Sequence, residues 1–311
     1  MRVLVTGGSG RLGRSVVSVL ADRGHTVTSV DTAPADQPPG VETITADLLD
    51  DTARQEAFTR ARPQAVVHLA GIAVPFARPD VETLQVNTGL AWAVLSTAVA
   101  HGAHSAVAAS SPTVYGYNTP SWTPRYLPLD EAHPVAPWHA YGLSKAIIED
   151  TVRALARTSD SCTLSCVRPG YVVAPEEWRG APTQQGHTMA RRLADPALAA
   201  TSLFNYVDAR DAAELFALVV ENPDKVDNGQ VFNAMAPDPL ATGPVHTLLP
   251  RHHPTTAAAA PALADGRAVF SSHAAHTALG WTPTRTWREQ LHPRSDTEPH
   301  PDQRASASQR P

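Results

Sequence analysis

The sequence predicts an α/β protein built on a doubly wound parallel sheet, with a smaller C-terminal lobe. Three observations predict it. Short β-rich runs alternate with longer helical patterns over the first two thirds of the chain. Most of those runs are continuously apolar or β-branched, as expected of strands covered on both faces. The first run also passes directly into a glycine-rich turn, Thr6-Gly7-Gly8-Ser9-Gly10-Arg11-Leu12-Gly13, that opens an amphipathic helix.

In chain order, strands are predicted at Arg2–Thr6, Thr26–Val30, Glu42–Ala46, Ala65–Leu69, Ser105–Ala109 and Thr163–Val167. Helical spacing of apolar residues places helices between them at Arg11–Arg23, Asp51–Arg60, Val81–His101 and Tyr141–Arg157. After Arg168-Pro169-Gly170 the pattern gives way to Pro, Gly and Gln, then resumes as strand Leu203–Val207, helix Asp211–Glu221 and strand Gln230–Asn233. The expected division is therefore a sheet domain over 1–170, completed by segments near 203–234. Residues 171–202 and 235–291 form the smaller, substrate-binding lobe. The alanine-rich stretch 255–261 is expected as a surface loop or short helix, and 292–311, without periodicity, as a disordered tail.

With 311 residues and 42% hydrophobic content, the chain can bury a sizeable core. A net charge of -5, only 18% charged residues and no basic run argue against nucleic acid or an acidic membrane as partner. A small molecule is expected instead. No stretch approaches the length of a membrane span and the N-terminal apolar run is too short for a secretory leader, so a cytoplasmic location is expected. Cys162 and Cys166 lie on one face of a strand about 13 Å apart, too far for a disulfide, and are expected as buried thiols. The 14 histidines include no set with ligand spacing, so no metal is expected.

The glycine loop reads as Gly7-x-x-Gly10-x-x-Gly13 or as Gly8-x-Gly10-x-x-Gly13. Either way it offers free backbone N–H groups at the positive end of a helix to a pyrophosphate, as in the Rossmann fold. Asp31 ends the second strand, 18 residues beyond Gly13, where a carboxylate accepts both ribose hydroxyls of an adenosine. That favours NAD over NADP, whose 2′-phosphate it would repel. Arg11 is the residue that could instead approach such a phosphate.

Tyr141 and Lys145 are four apart at the start of a helix and share a face. An ammonium beside a phenol favours the phenolate, which suits tyrosine to general-base work. Ser110-Ser111-Pro112-Thr113-Val114-Tyr115-Gly116 closes the fifth strand, at the carboxyl end where parallel sheets bind ligands.

These elements, with Asp47-Leu48, His68-Leu69-Ala70-Gly71, Asn87, Arg168-Pro169-Gly170, Tyr206–Ala212 and Leu279–Pro283, occur in an order that resembles the extended short-chain dehydrogenases/reductases of the NAD-dependent epimerase/dehydratase type. The resemblance runs from residue 1 to about 290. It implies that Gly7, Gly10, Arg11, Leu12, Gly13, Asp31, Asp47, Leu48, Leu69, Ala70, Gly71, Lys145 and Pro169 hold the cofactor. It implies a catalytic set of Ser111, Tyr141 and Lys145, with Ser110 structural and Asn87 in either a packing or a cofactor-side role. It also implies a homodimer through helices Val81–His101 and Tyr141–Arg157.

Two departures narrow the chemistry. Family dehydratases carry an Asp-Glu pair after the catalytic residue, where this chain has Pro112-Thr113. Sugar-nucleotide epimerases follow the sixth strand with Arg-x-x-Asn, where this chain has Arg168-Pro169-Gly170-Tyr171. Arg179, Arg191, Arg192 and Arg267 are left as candidates for a diphosphate, or as solvated surface charges. The Pro- and aromatic-rich segment 117–127 is expected to hang Trp122, Arg125 and Tyr126 over the site, with Trp138 and His139 beside them, and Arg179 is a further substrate candidate. The expected function is NAD-dependent hydride transfer at a hydroxyl or carbonyl carbon of a small sugar, sugar acid or polyol. The alternatives are an epimerase that retains its NAD and a catalytically silent NAD-binding regulator.

Overall fold

The computed structural model describes residues 1–33 and 35–292, apart from the side chain of residue 265. Beyond His292, the expected tail lies outside the described residues. Strands β1 (Arg2–Thr6), β2 (Thr26–Asp31), β3 (Glu42–Thr45), β4 (Ala65–His68), β5 (Ser105–Ala109) and β6 (Thr163–Pro169) alternate with helices α1 (Arg11–Asp22), α2 (Asp51–Ala61), α3 (Asp80–Ala100) and α4 (Ala140–Ala156). The chain continues through β7 (Val172–Val173), α5 (Pro175–Trp178), α6 (Met189–Ala194), α7 (Pro196–Ala200), β8 (Val207–Asp208), α8 (Ala209–Glu221) and β9 (Gln230–Ala234). It ends in α9 (Val245–His252), α10 (His273–Leu279) and α11 (Trp287–Leu291).

Seven strands pair in parallel in the order β3-β2-β1-β4-β5-β6-β9, and β7 pairs with β8 in a separate short ribbon. The order reverses between β1 and β4, which opens a crevice at the carboxyl ends of the strands. Side chains alternate across the sheet. In β1, Leu4 joins a core with Phe58 of α2, Leu95 of α3 and Ile148 of α4. Its neighbours Val3 and Val5 join the opposite core, with Val16 and Leu20 of α1 and Phe216 of α8. Every one of these side chains is buried, which explains why the strands carry no polar face.

A third core, with Tyr115, Trp122, Trp178, Phe204, Leu249, Phe270 and Trp287, fills the lobe that covers the carboxyl end of the sheet. Here the structure departs from the expected strand Leu203–Val207. Leu203 and Phe204 adopt left-handed backbone angles, φ 50° and 60°, and only Val207–Asp208 pairs as a strand. The turn is tied by polar side chains: Ser202 Oγ donates within the turn and Asn205 Oδ1 accepts the Tyr171 N–H at 2.8 Å. Residues 254–256 and 260–266 form short 3₁₀ turns. Both cysteines are buried free thiols, and burial raises the pKa of each. Among the described residues no helix is long and apolar enough to cross a membrane.

Candidate active site

The carboxyl end of β1 delivers the glycine loop to the crevice. Gly7 sits at φ 72°, and a Cβ there would lie 2.6 Å from the Ala70 nitrogen; one on Gly13 would lie 2.1 Å from the Gly7 carbonyl oxygen. Gly10 donates to the Gly7 carbonyl at 3.0 Å and begins α1 without a side-chain cap, leaving the first-turn N–H groups to an anion. Gly7, Gly10 and Gly13 face the cavity, whereas Gly8 packs on Ser29. The Gly7-x-x-Gly10-x-x-Gly13 register is therefore the one that meets the crevice.

That crevice is a cavity of about 1400 Å³. Arg11, Leu12, Asp31, Asp47, Leu48, Leu69, Ala70, Gly71, Lys145 and Pro169 line it together with the three glycines. Asp31 accepts the Ser9 N–H at 3.1 Å, which fixes its carboxylate beside the loop. Arg11 is turned toward Glu177 of α5, with Nη1 2.8 Å from Oε1, so its charge already has a carboxylate partner. The two groups form an ion pair by distance without hydrogen-bond alignment. The glycine cradle, the uncapped helix start and Asp31 fit a dinucleotide with a free ribose diol.

Ser111, Tyr141 and Lys145 line the same cavity. Ser111 begins a 3₁₀ turn over Pro112–Tyr115, and its Oγ accepts from the Thr113 N–H at 3.2 Å and from Thr113 Oγ1 at 3.0 Å. Both contacts use its lone pairs, which leaves the hydroxyl proton for another acceptor. Tyr141 lies in the first turn of α4, which His139 caps by accepting the Gly142 N–H at 3.1 Å. One turn on, Lys145 Nζ donates to the Ala109 carbonyl at 2.9 Å and sits 5.7 Å from the Tyr141 ring centroid.

Burial pushes Tyr141 up to about 12, with the Ser111 hydroxyl pulling the other way, and pushes Lys145 down to about 8. The expectation that the lysine lowers the phenol is not met. Desolvation of the phenolate outweighs an ammonium that is spent on a carbonyl and lies over the ring.

A buried network backs these residues. Arg168 donates from Nε and Nη2 to the two Glu149 oxygens at 2.6 and 2.7 Å, and from Nη1 to the Tyr115 hydroxyl at 2.7 Å. Ser110 Oγ donates to Glu149 at 2.6 Å. Asn87 bonds both backbone groups of Ile72 and donates to Ser144 Oγ at 3.0 Å, tying α3 to α4 and the loop after β4. Of its two expected roles, the packing one matches these contacts.

On the substrate side the structure corrects several expectations. Trp122 is buried in the lobe core, its indole donating to the Tyr115 carbonyl at 2.8 Å, and does not line the cavity. Tyr126 is exposed and donates to Asp130 at 2.6 Å, and Arg125 also lies off the cavity. Arg179 follows α5 and is exposed away from the cavity, as is Arg191. Trp138 and His139 do line it, beside Phe76. Tyr117, Asn118, Gln185, Ser202, His253 and Thr255 make the opposite wall, and none was singled out by its sequence motif. The return of segments 171–205 and 245–260 over the sheet brings Gln185, Ser202, His253 and Thr255 there, whereas Tyr117 and Asn118 come from the 117–127 segment expected over the site.

A doubly wound sheet with a glycine cradle and a Ser-Tyr-Lys set at its switch point defines a short-chain dehydrogenase/reductase. Residues 3–234 match the model of the NAD dependent epimerase/dehydratase family, and the chain belongs to that family. Among similar proteins, UDP-glucose 4-epimerase of Mus musculus is 34% identical over 176 residues, 50% of this chain and 49% of that one. The chain thus matches about half the length of such relatives. UDP-glucose 4-epimerase of Corynebacterium glutamicum is 26% identical across 92% of both chains. A short-chain dehydrogenase/reductase superfamily protein from Agrobacterium tumefaciens, solved with bound NAD, superposes with a TM-score of 0.68 at 24% identity, covering 93% of this chain and 94% of that one. At that identity the likeness is one of fold.

Proposed function

We propose that the protein catalyses NAD-dependent hydride transfer at a hydroxyl or carbonyl carbon of a small sugar, sugar acid or polyol. The observation that carries this is the meeting of Ser111, Tyr141 and Lys145 in the one cavity that the glycine loop opens. NAD, when bound, supplies the hydride acceptor. Ser111 donates its unused hydroxyl proton to the substrate oxygen and holds it. Tyr141 removes the hydroxyl proton, and Lys145, anchored on the Ala109 carbonyl, keeps a positive charge within reach of the phenol.

The cationic side chains that line the cavity are Arg11 and Lys145, both among the proposed cofactor-holding residues. The wall opposite is neutral and polar, which supports a small substrate over a nucleotide diphosphate. A second proposal, an epimerase that returns the hydride to the other face, is favoured by the near full-length match to an epimerase. The two part on stoichiometry: a dehydrogenase changes absorbance at 340 nm with net turnover, whereas an epimerase interconverts two sugars with protein-bound NAD and no net change. Tyr141→Phe is expected to lower turnover by about 10²- to 10⁴-fold while NAD affinity, measured by calorimetry, stays within about twofold. Undiminished turnover in that variant would remove Tyr141 as the base.

A further inference from the structure

Among the described residues two arginine side chains are almost wholly buried, and they are balanced differently. Arg168 is held by both oxygens of Glu149. Arg192, in α6, has no carboxylate partner among the described residues, although its side chain is 0% exposed. Its Nη1 donates to Gln185 Oε1 at 2.7 Å and lies 3.3 Å from His187 Nε2, and its Nη2 donates to Ser202 Oγ at 2.8 Å and to Thr201 Oγ1 at 3.4 Å. The guanidinium lies 3.9 Å from the Tyr171 ring centroid, and Nε has no partner. The Tyr171 hydroxyl is also buried without a hydrogen-bond partner.

Gln185, Ser202 and Tyr171 all line the cavity. One full positive charge therefore stands directly behind a neutral wall. A buried charge without a counter-charge is costly to hold, and proteins pair such groups. Gln185 is an exposed residue of the segment between α5 and α6, so its carboxamide oxygen is a cap that another oxygen can replace.

We propose that Arg192 is the anion-recognising residue of the substrate site and that the substrate bears a single carboxylate, which takes the place of the Gln185 amide oxygen on the guanidinium. This deepens the hydride-transfer proposal for the same cavity and rests on it only for the site's location. The charge count selects the carboxylate: one guanidinium without a counter-ion balances one negative charge, whereas a diphosphate brings two. Burial holds the pKa of Arg192 below the usual arginine value, opposed only by the Tyr171 and Tyr117 phenols. The group still carries its proton at neutral pH, as arginine does. An arginine is suited to this role because a hydrogen bond from its charged Nη1 to a carboxylate oxygen is stronger than the one to a neutral amide oxygen that it replaces.

The test is calorimetric titration of the full chain, saturated with NAD, by D-gluconate and D-glucitol, six-carbon chains with and without a carboxylate, and by UDP. Gluconate is expected to bind at least about tenfold more tightly than glucitol. Gln185→Glu, which supplies an internal carboxylate at the surface and leaves the core intact, should abolish that preference, and Arg192→Met should do the same. If Arg192→Met fails to fold, Gln185→Glu decides alone. Equal binding of the two probes, or a preference that survives Gln185→Glu, would overturn the proposal. UDP binding more tightly than gluconate, and losing that advantage in Gln185→Glu, would assign the charge to phosphate and overturn the carboxylate. No readout needs turnover. Tyr141→Phe should keep the gluconate preference, so failure of the hydride-transfer proposal is separable from failure of this one.

Discussion

Tyr141 and Lys145 are displaced toward their neutral forms, and the order of their displaced values sets a pH dependence. Hydride transfer from an alcohol needs Tyr141 without its proton and Lys145 with its own. Lys145 titrates first, near 8, and Tyr141 near 12. The required pair of states grows about tenfold per pH unit up to about 8 and is then level, because the phenolate fraction gains what the ammonium fraction loses. We expect kcat/KM for alcohol oxidation to rise to a plateau that begins near pH 8, measured from pH 6 to 10. A profile already flat below pH 7 would show that the lower of the two values, assigned here to Lys145, does not lie near 8 in the working enzyme. These two residues and the glycines were legible in the sequence because their chemistry depends on short spacing along one turn or one helix face, and Asp31 because it ends the strand that follows that helix. Arg192 was named only as one of four arginines that could meet a diphosphate, for nothing in its sequence neighbourhood distinguishes a buried guanidinium from the exposed one at Arg191.

At the scale of elements, α4 is the member that joins chemistry to core. It carries Tyr141 and Lys145 on one end and, one turn beyond Lys145, Glu149, which is wholly buried against Arg168 of β6 and Ser110 of the β5 end. Removing one partner of such a pair leaves an uncompensated buried charge, at a cost of about 3–5 kcal/mol. Glu149→Ala should therefore lower the unfolding free energy by that order in urea titration, while the double change Glu149→Leu with Arg168→Met should recover much of it. Equal losses in the single and double variants would argue against the charge as the cause. Strands β1, β4, β5 and β6 were legible because burial on both faces leaves them nearly uniformly apolar. The same apolarity misled at Leu203–Val207. There Leu203 and Phe204 are buried by a turn that points them into the lobe core, and hydrophobicity alone does not distinguish a turn from a strand.

For the whole molecule, α3 and α4 pack side by side and leave Trp92, 55% exposed, and Leu143, 42% exposed, on the outer surface. These are apolar side chains on the outer face of a packed helix pair, and we expect a second copy of the chain to cover them. Light scattering should report a dimer that Trp92→Glu converts to a monomer; a monomeric parent protein would refute this. The loops that wall the cavity were the least legible part, since residues 117–127 look equally suited to lining a pocket and to filling a core. Trp122 does the second, and only contacts across the lobe decide it.

The segment that follows β9 has a bearing on how the protein is made. Every residue of the Ser-Tyr-Lys set lies before residue 146, yet the loop after Ser111 is held from far downstream. The Tyr115 hydroxyl reaches Asn233 at 3.0 Å, Leu129 exchanges backbone hydrogen bonds with Val269 and Ser271, and Trp281, Thr284 and Arg285 all bond to Asp211. A ribosome that has released the chain only as far as residue 234, where the family match ends, has presented all the reactive groups and the whole of the parallel sheet. It has not yet presented Phe270, Trp281 or Trp287, against which the lobe and the outer face of α8 close. Assembly of the working pocket is thus a late event in synthesis, and a chain cut at that point should retain helical structure but expose apolar surface to a hydrophobic dye.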